Sequence, residues 1–259
     1  MKRFISTTDS YPFLYSAGIL FVVLLWTVIS MGQGAGNLVF PSPWATLAKL
    51  GEMMSGAYIY KCLGISLLRT LEGFAIAFAA ALLLGSLAGA IKPLQTFLKP
   101  LITVFKSAPT AAFVFLFLVL AGSSQAPIFI VIILAFPILY EAVIGGINHI
   151  SPEINDAIKV DRGGFFYPLI KIRIPLAAPY VLVGVASSFA LSFKTAIMAE
   201  IITGSTSYGL GSLINSYRNQ DPSDLTPIFA ITALAIIIIL VIDLLTYVLK
   251  RSLGLLEKQ

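Results

Sequence analysis

The sequence predicts an all-α, polytopic membrane protein with six transmembrane helices. Three observations predict it: the composition, the length of the apolar runs, and the positions of the basic residues. Of 259 residues, 58% are hydrophobic and 11% charged, and the mean hydropathy is +0.94. Soluble domains carry about a quarter charged residues, so no single globular core can bury these apolar side chains. The bilayer must act as their solvent. A membrane-spanning helix needs roughly 20 mostly apolar residues, and several runs reach that length. Nothing resembles the alternating strands of an outer-membrane barrel.

The spans read as residues 11–31, 66–91, 101–121, 126–147, 175–203 and 227–249. The first run follows Met1, Lys2 and Arg3. It is too long for the apolar core of a signal peptide, and Met31-Gly32-Gln33-Gly34 is a poor cleavage site. It is read as a retained first span. Residues 66–91 are rich in Ala and Gly, and Gly85 and Gly89 stand four apart, the spacing that allows close helix approach. Phe113, Phe115 and Phe117 alternate and cannot share one helix face, so lipid contact or bundle packing is expected of them.

An even number of spans puts both termini on one side. Lys2, Arg3, Lys92, Lys99, Lys159, Arg162, Lys171, Arg173, Lys250, Arg251 and Lys258 fall on that side, and Lys49, Lys61, Arg69 and Arg218 fall opposite. That bias places the termini and residues 151–173 in the cytoplasm. The +5 net charge therefore reflects membrane orientation and does not point to nucleic acid. One cysteine, Cys62, excludes an internal disulfide, and no metal-ligand pattern is present. In the first outer segment, residues 44–54 look helical, with Trp44, Leu47, Ala48 and Leu50 at the interface. In the second, Gly204, Gly209 and Gly211 precede a short helical stretch at 213–217.

Residues 151–179 form the one long polar run between strongly apolar spans. Ser151-Pro152-Glu153 is a helix start: Ser caps free amides, Pro suits the first turn, and an acid suits the positive dipole end. Ile154, Ala157, Ile158 and Asp161 follow at amphipathic spacing. Gly163-Gly164 ends that helix, and residues 165–172 read as a second short helix before Pro175 opens the fifth span. From the residues alone this is either a knob that docks on another protein or a connecting loop on the membrane surface.

The segment resembles the cytoplasmic loop of binding-protein-dependent ABC importer permeases. Asp156-Ala157-Ile158 stands at the family's acidic-Ala-Ala position, Gly163-Gly164 at its glycine, and Ile172-Arg173-Ile174-Pro175 at its closing element. The triplet is degenerate, and the glycine sits one residue closer to Pro175 than is usual, or else Arg162 stands in its place. Further resemblance lies in Phe40-Pro41-Ser42-Pro43, in Ser66-Leu67-Leu68-Arg69-Thr70-Leu71-Glu72-Gly73-Phe74, in Lys106-Ser107-Ala108-Pro109-Thr110-Ala111-Ala112, and in Ala199-Glu200 with Tyr208-Gly209-Leu210-Gly211. Together these resemble the nitrate/sulfonate/taurine-type subfamily and cover nearly the whole chain from Pro41.

The resemblance implies a type I ABC importer permease, with residues 1–259 as one transmembrane domain. It implies a homodimer in the cell membrane that works with ABC ATPase subunits and an extracytoplasmic binding protein. Docking of the ATPase would use Glu153, Asp156, Ala157, Lys159, Asp161, Arg162, Gly163, Gly164, Phe165 and Phe166. The implied cargo is a small anion of the nitrate, sulfonate or taurine kind, or a thiamine-precursor pyrimidine. The chain lacks a phosphate-binding GxxxxGK[ST], so ATP hydrolysis must reside in a partner, and no cofactor is expected.

Ionisable residues at membrane depth are functional hypotheses by default. Glu200, Lys194, Glu141 and Lys106 are the pathway and gate candidates. Glu200 lines the pathway or braces the outer gate, or else makes a structural helix–helix bond. Lys194 meets an anionic substrate, or pairs with Glu141 or Asp243. Arg69 and Glu72, three apart, are expected to form an ion pair. His149 is expected to pack at a helix end. The alternatives are a stand-alone secondary transporter or channel, which predicts internal repeats or broken spans, and an intramembrane enzyme, which one His and one Cys do not support.

Overall fold

A computed structural model describes residues 11–32, 40–160, 164–204 and 208–252. Every regular element among them is helical. In order these are α1 (Tyr11–Met31), α2 (Pro43–Met54), α3 (Ala57–Ala90), α4 (Lys92–Ser107), α5 (Thr110–Asn148), α6 (Pro152–Val160), α7 (Phe166–Pro168), α8 (Ile174–Thr203), α9 (Leu210–Gln220) and α10 (Thr226–Ser252). Four helices among the described residues are long and apolar enough to cross a membrane: Ala57–Ala90, Thr110–Asn148, Phe166–Thr203 and Thr226–Val248. The shorter apolar helix Ser16–Met31 lies within α1. Six separate spans are thus not reproduced helix for helix. The difference arises between residues 92 and 148.

There the expected third span, 101–121, is divided. The residue before a proline is pushed out of the helical region, and Ala108, before Pro109, is extended with ψ 139. So α4 ends at Ser107 and α5 begins at Thr110. The expected loop at 122–125 is reduced to one residue. Gly122, with φ 79 and ψ 168, breaks the helix, and the chain resumes helical geometry at once. A positive φ of this kind favours glycine. Residues 110–121 span only about 18 Å at 1.5 Å per residue, short of the ~30 Å hydrocarbon core.

The chain divides into two compact units. In the first, residues 1–57 with 216–234, the Trp26 indole donates to the Pro41 carbonyl at 3.0 Å. Phe229 packs against Trp26 and Phe40, with ring centroids 6.1 and 5.2 Å away. Ser42 caps α2, its hydroxyl accepting from the Ala45 amide at 3.2 Å, with Pro43 in the first turn. The α2 helix is as expected, and Trp44 and Leu47 are exposed. Leu50 instead turns inward beside Thr46 and Pro43, on the 43, 46, 50 face.

In the second unit, residues 58–215 with 235–259, α3 lies against the second half of α5 and α5 against α8. Gly73 faces the Ile128 carbonyl and Val131, Gly85 faces Val143, and Gly89 faces Ile147. Gly85 and Gly89 meet residues that are also four apart, so two short ridges mesh over small residues. The α5–α8 contact is equally close, with Gly146 on Ala177 and Gly184 on Ala142. Phe74, Ala77, Ala81, Val131, Phe136, Leu139 and Ala196 form the buried centre.

The second short helix expected at 165–172 is not separate. Residues 166–203 run as one helix, and Leu169–Arg173 is a π turn in which the Ile174 amide reaches the Leu169 carbonyl. Proline supplies no amide. The wider i→i+5 turn just ahead of Pro175 carries the helix past it.

Candidate functional site

The polar centre of the second unit is Glu200. It is 0% exposed and sits near the C-terminal end of α8. Its Oε1 accepts from an Arg69 guanidinium nitrogen at 2.8 Å. Its Oε2 accepts from the Ser66 hydroxyl at 2.7 Å and from the Gly211 amide at 3.0 Å. Ser66 Oγ in turn accepts from the Leu210 amide at 2.9 Å, and Arg69 also donates to the Tyr208 carbonyl at 2.9 Å. Ser66 and Arg69 lie on one face of α3, three residues apart, so one helix presents both groups to α8. The loop before α9 closes the arrangement.

Close approach of that loop depends on its glycines. A Cβ at Gly209 would stand 2.7 Å from the Glu200 carboxylate, and one at Gly211 would stand 2.5 Å from Glu200 Cβ and from the Ile197 carbonyl. Asn215 adds a bond from its amide to the Ile201 carbonyl at 2.6 Å. Outside the ion pair, Lys61 Nζ lies 3.7 Å from the centre of the Tyr208 ring, and Tyr58 packs on that ring at 5.7 Å. One buried acid therefore ties α3, α8 and the loop before α9 together. A buried ion pair holds only with its remaining donors and acceptors satisfied, and here every carboxylate oxygen is.

This corrects the expected Arg69–Glu72 pair, because Arg69 reaches across to α8 and Glu72 is exposed. Spacing on one helix was the wrong guide. Three motifs far apart in sequence, at 66–69, 200 and 208–211, meet at this point. Glu141 and Lys106 also come together, at 2.8 and 3.0 Å, both half exposed. Lys194 is exposed on α8 and pairs with neither Glu141 nor Asp243 among the described residues.

His149 caps α5, with Nδ1 2.7 Å from the Gly145 carbonyl, and stacks on Tyr180 at 4.6 Å. Phe113 and Phe117 stack, four apart, and Phe117 stacks on Phe129 at 5.1 Å, while Phe115 points away and is exposed.

After α5, α6 and the residues Phe165 and Phe166 are largely uncovered. The Asn155 amide bonds the Ile150 and Ser151 carbonyls, fixing the start of α6. The Glu153 backbone N–H and the Ser151 hydroxyl hold the Glu153 carboxyl below its ordinary range. Along α6, Glu153, Ile154, Asp156 and Ala157 are exposed, and Val160 is 82% exposed. Gly164 has φ 75. Phe165 and Phe166 pack edge to face at 5.3 Å and both remain exposed, Phe166 at 66%. Asp161, Arg162 and Gly163 lie outside the described residues, as does the Lys159 side chain.

Long apolar helices define a polytopic membrane protein. The family described as "Binding-protein-dependent transport system inner membrane component" matches residues 78–254, well over half the chain, and the chain belongs to it. A Bacillus subtilis protein named provisionally as an aliphatic sulfonates transport permease, SsuC, is 25% identical over 198 residues, covering 76% of this chain and 71% of that one. The bicarbonate transport system permease protein CmpB of Synechococcus elongatus is 29% identical over 222 residues, covering 81% and 78%. A solved structure, an amino acid ABC transporter with histidines, shares the fold at TM-score 0.64 and 18% identity, covering 78% of this chain and 97% of that one. The chain is thus a membrane component of a binding-protein-dependent transport system, and the stand-alone transporter reading is set aside.

Proposed function

We propose that the whole chain acts as one permease domain and forms half of a homodimeric pathway in the cell membrane, with both termini cytoplasmic. A solute delivered by an extracytoplasmic binding protein crosses it, driven by ATPase subunits docked on residues 151–173. The observation that carries this reading is that α6 is capped and regular, yet Ile154 and Val160 on it, and Phe165 and Phe166 beyond it, are uncovered. Isolated short helices are marginal in water, and exposed aromatic side chains beside a helix are typical interface anchors. Relatives named for bicarbonate and provisionally for aliphatic sulfonates support a small anion as cargo.

Within this reading Glu200 braces the outer gate, because it joins the outer ends of α3 and α8 to the loop before α9. Glu141 and Lys106 form a second, solvated tie along the pathway, and Lys194 faces outward from α8. Gly164→Val tests the docking. A β-branched residue resists φ 75, so the expected result is weaker co-purification of the ATPase subunits and loss of binding-protein-stimulated hydrolysis. Unchanged assembly and coupling would overturn the docking assignment.

A further inference from the structure

Between α4 and the second half of α5 lies an open cavity of about 820 Å³. Lys92, Gln95, Thr96 and Lys99 line it from α4, and Tyr140 and Glu141 from α5. The α4 residues fall at i, i+3, i+4, i+7 and so share one face. The opposite stripe of α4, Leu94, Leu98 and Phe105, packs on the core. The helix is thus held by its apolar side, and its cationic side is presented to the cavity.

The charges in this wall do not cancel. Glu141 is neutralised by Lys106, whose Nζ is 2.8 and 3.0 Å from its two oxygens. Lys92 and Lys99 have no carboxylate partner among the described residues. Tyr140 supplies an independent observation. It lines the cavity, it is 4% exposed, and its hydroxyl has no hydrogen-bond partner among the described residues. A buried hydroxyl without a partner is uncommon. An acceptor in the cavity would satisfy it, and two unpaired ammonium groups beside it select an acceptor with negative charge.

We propose that this cavity is a release site for a small oxyanion on the cytoplasmic side, held between Lys92 and Lys99 with the Tyr140 hydroxyl donating. The assignment rests on the permease reading and its topology, and it deepens that reading by giving the cargo a last stop in the membrane subunit. The cavity is larger than one such anion, so the ligand keeps part of its hydration shell. Weak binding of this kind suits release. A lipid phosphate presents the same chemistry, and the test separates the two sources.

The permease–ATPase complex is placed in phosphatidylcholine nanodiscs with Thr96→Cys as a reporter and Gln95→Cys as a second one. Cys62, 1% exposed, stays in place as the unreactive background. Labelling by neutral methyl methanethiosulfonate is followed against nitrate, bicarbonate or sulfate, with gluconate keeping ionic strength constant. At least one of the three anions is expected to slow labelling saturably. Lys92→Gln with Lys99→Gln should raise the half-protecting concentration roughly tenfold, the scale of lost charge-assisted bonds. Tyr140→Phe should raise it roughly threefold.

No saturable protection at either reporter, or protection indifferent to the lysines, would overturn the site. So would slowing seen only after phosphatidylglycerol is added, since the lysines would then be headgroup anchors. Binding-protein-stimulated ATP hydrolysis by the wild-type complex in the same nanodiscs separates the two levels. Stimulation without anion protection sinks the site alone, and absence of stimulation sinks the permease reading beneath it.

Discussion

Glu200→Gln keeps the side-chain volume and removes the charge, which makes it a direct probe of the buried pair. The carboxylate accepts from Arg69 on one oxygen and from Ser66 and Gly211 on the other. An amide offers one oxygen only. Turned toward Arg69, it sets its NH2 against the Gly211 amide. Turned the other way, it sets its NH2 against the guanidinium. Either orientation opposes two donors in a site that solvent barely reaches, since the Arg69 side chain is 7% exposed. Removing one partner of a buried pair costs about 3–5 kcal/mol. The lower end, about 3 kcal/mol, applies here because Arg69 keeps the Tyr208 carbonyl. That is roughly a hundredfold in the folding equilibrium.

Reversible unfolding in mixed micelles reads this loss. The double change Arg69→Met with Glu200→Leu removes both charges and should recover most of it, as apolar replacement of a whole buried pair is often neutral. Uptake measured on that stabilised double variant then isolates the gate role: low uptake at normal stability is expected. A Glu200→Gln protein within about 0.5 kcal/mol of wild type, well under any broken buried pair, would refute the reasoning.

Two glycines with different neighbours should respond differently to the same change. At Gly73 a Cβ would meet the Ile128 backbone carbonyl at 2.7 Å, which cannot yield, so Gly73→Ala should cost about 1–3 kcal/mol. At Gly89 a Cβ would meet the Ile147 side chain, Cδ1 at 2.9 Å and Cβ and Cγ2 at 3.1 Å, which can give more than a backbone carbonyl, so Gly89→Ala should cost less than Gly73→Ala; the same micelle unfolding compares them. Lys106→Gln breaks a half-exposed pair and should change stability by less than about 1 kcal/mol, so any larger fall in uptake would report a pathway role. Single cysteines at Ser151 and Gln220 in a Cys62→Ala background should label from opposite sides of the membrane, and labelling from the same side would remove the proposed topology.

Composition and the length of the apolar runs were enough for the class, because bilayer thickness acts on whole segments. The turn at Ala108–Pro109 was harder to read, since it falls inside what reads as one apolar span, whereas the polar run Gly122-Ser123-Ser124-Gln125 marked a loop where the fold has only a break at Gly122. Pro109 carried the local signal. The π turn at Leu169–Arg173 was hidden for the opposite reason: Pro175 reads as a helix boundary, and the wider turn lets the helix pass it. Glu200 was legible as a costly buried acid, but its partner was not. Arg69 had a nearer acid at Glu72, and only the fold brings residues 66–69, 200 and 208–211 to one point. The α6 cap was read correctly from Ser151-Pro152-Glu153, since capping is local chemistry.

The central claim is that the uncovered segment after α5 is where the permease meets its ATPase, and a photocrosslinker placed at Phe166 tests it most directly. Phe166 is 66% exposed and stands beside the Gly164 turn, so a benzoyl-phenylalanine there fits without disturbing the core. Irradiation of the complex co-expressed with its ATPase subunits should yield a covalent permease–ATPase species. That species should weaken when Gly164→Val is added. An ATPase that co-purifies while Phe166 crosslinks only to lipid or to a second permease would contradict the claim.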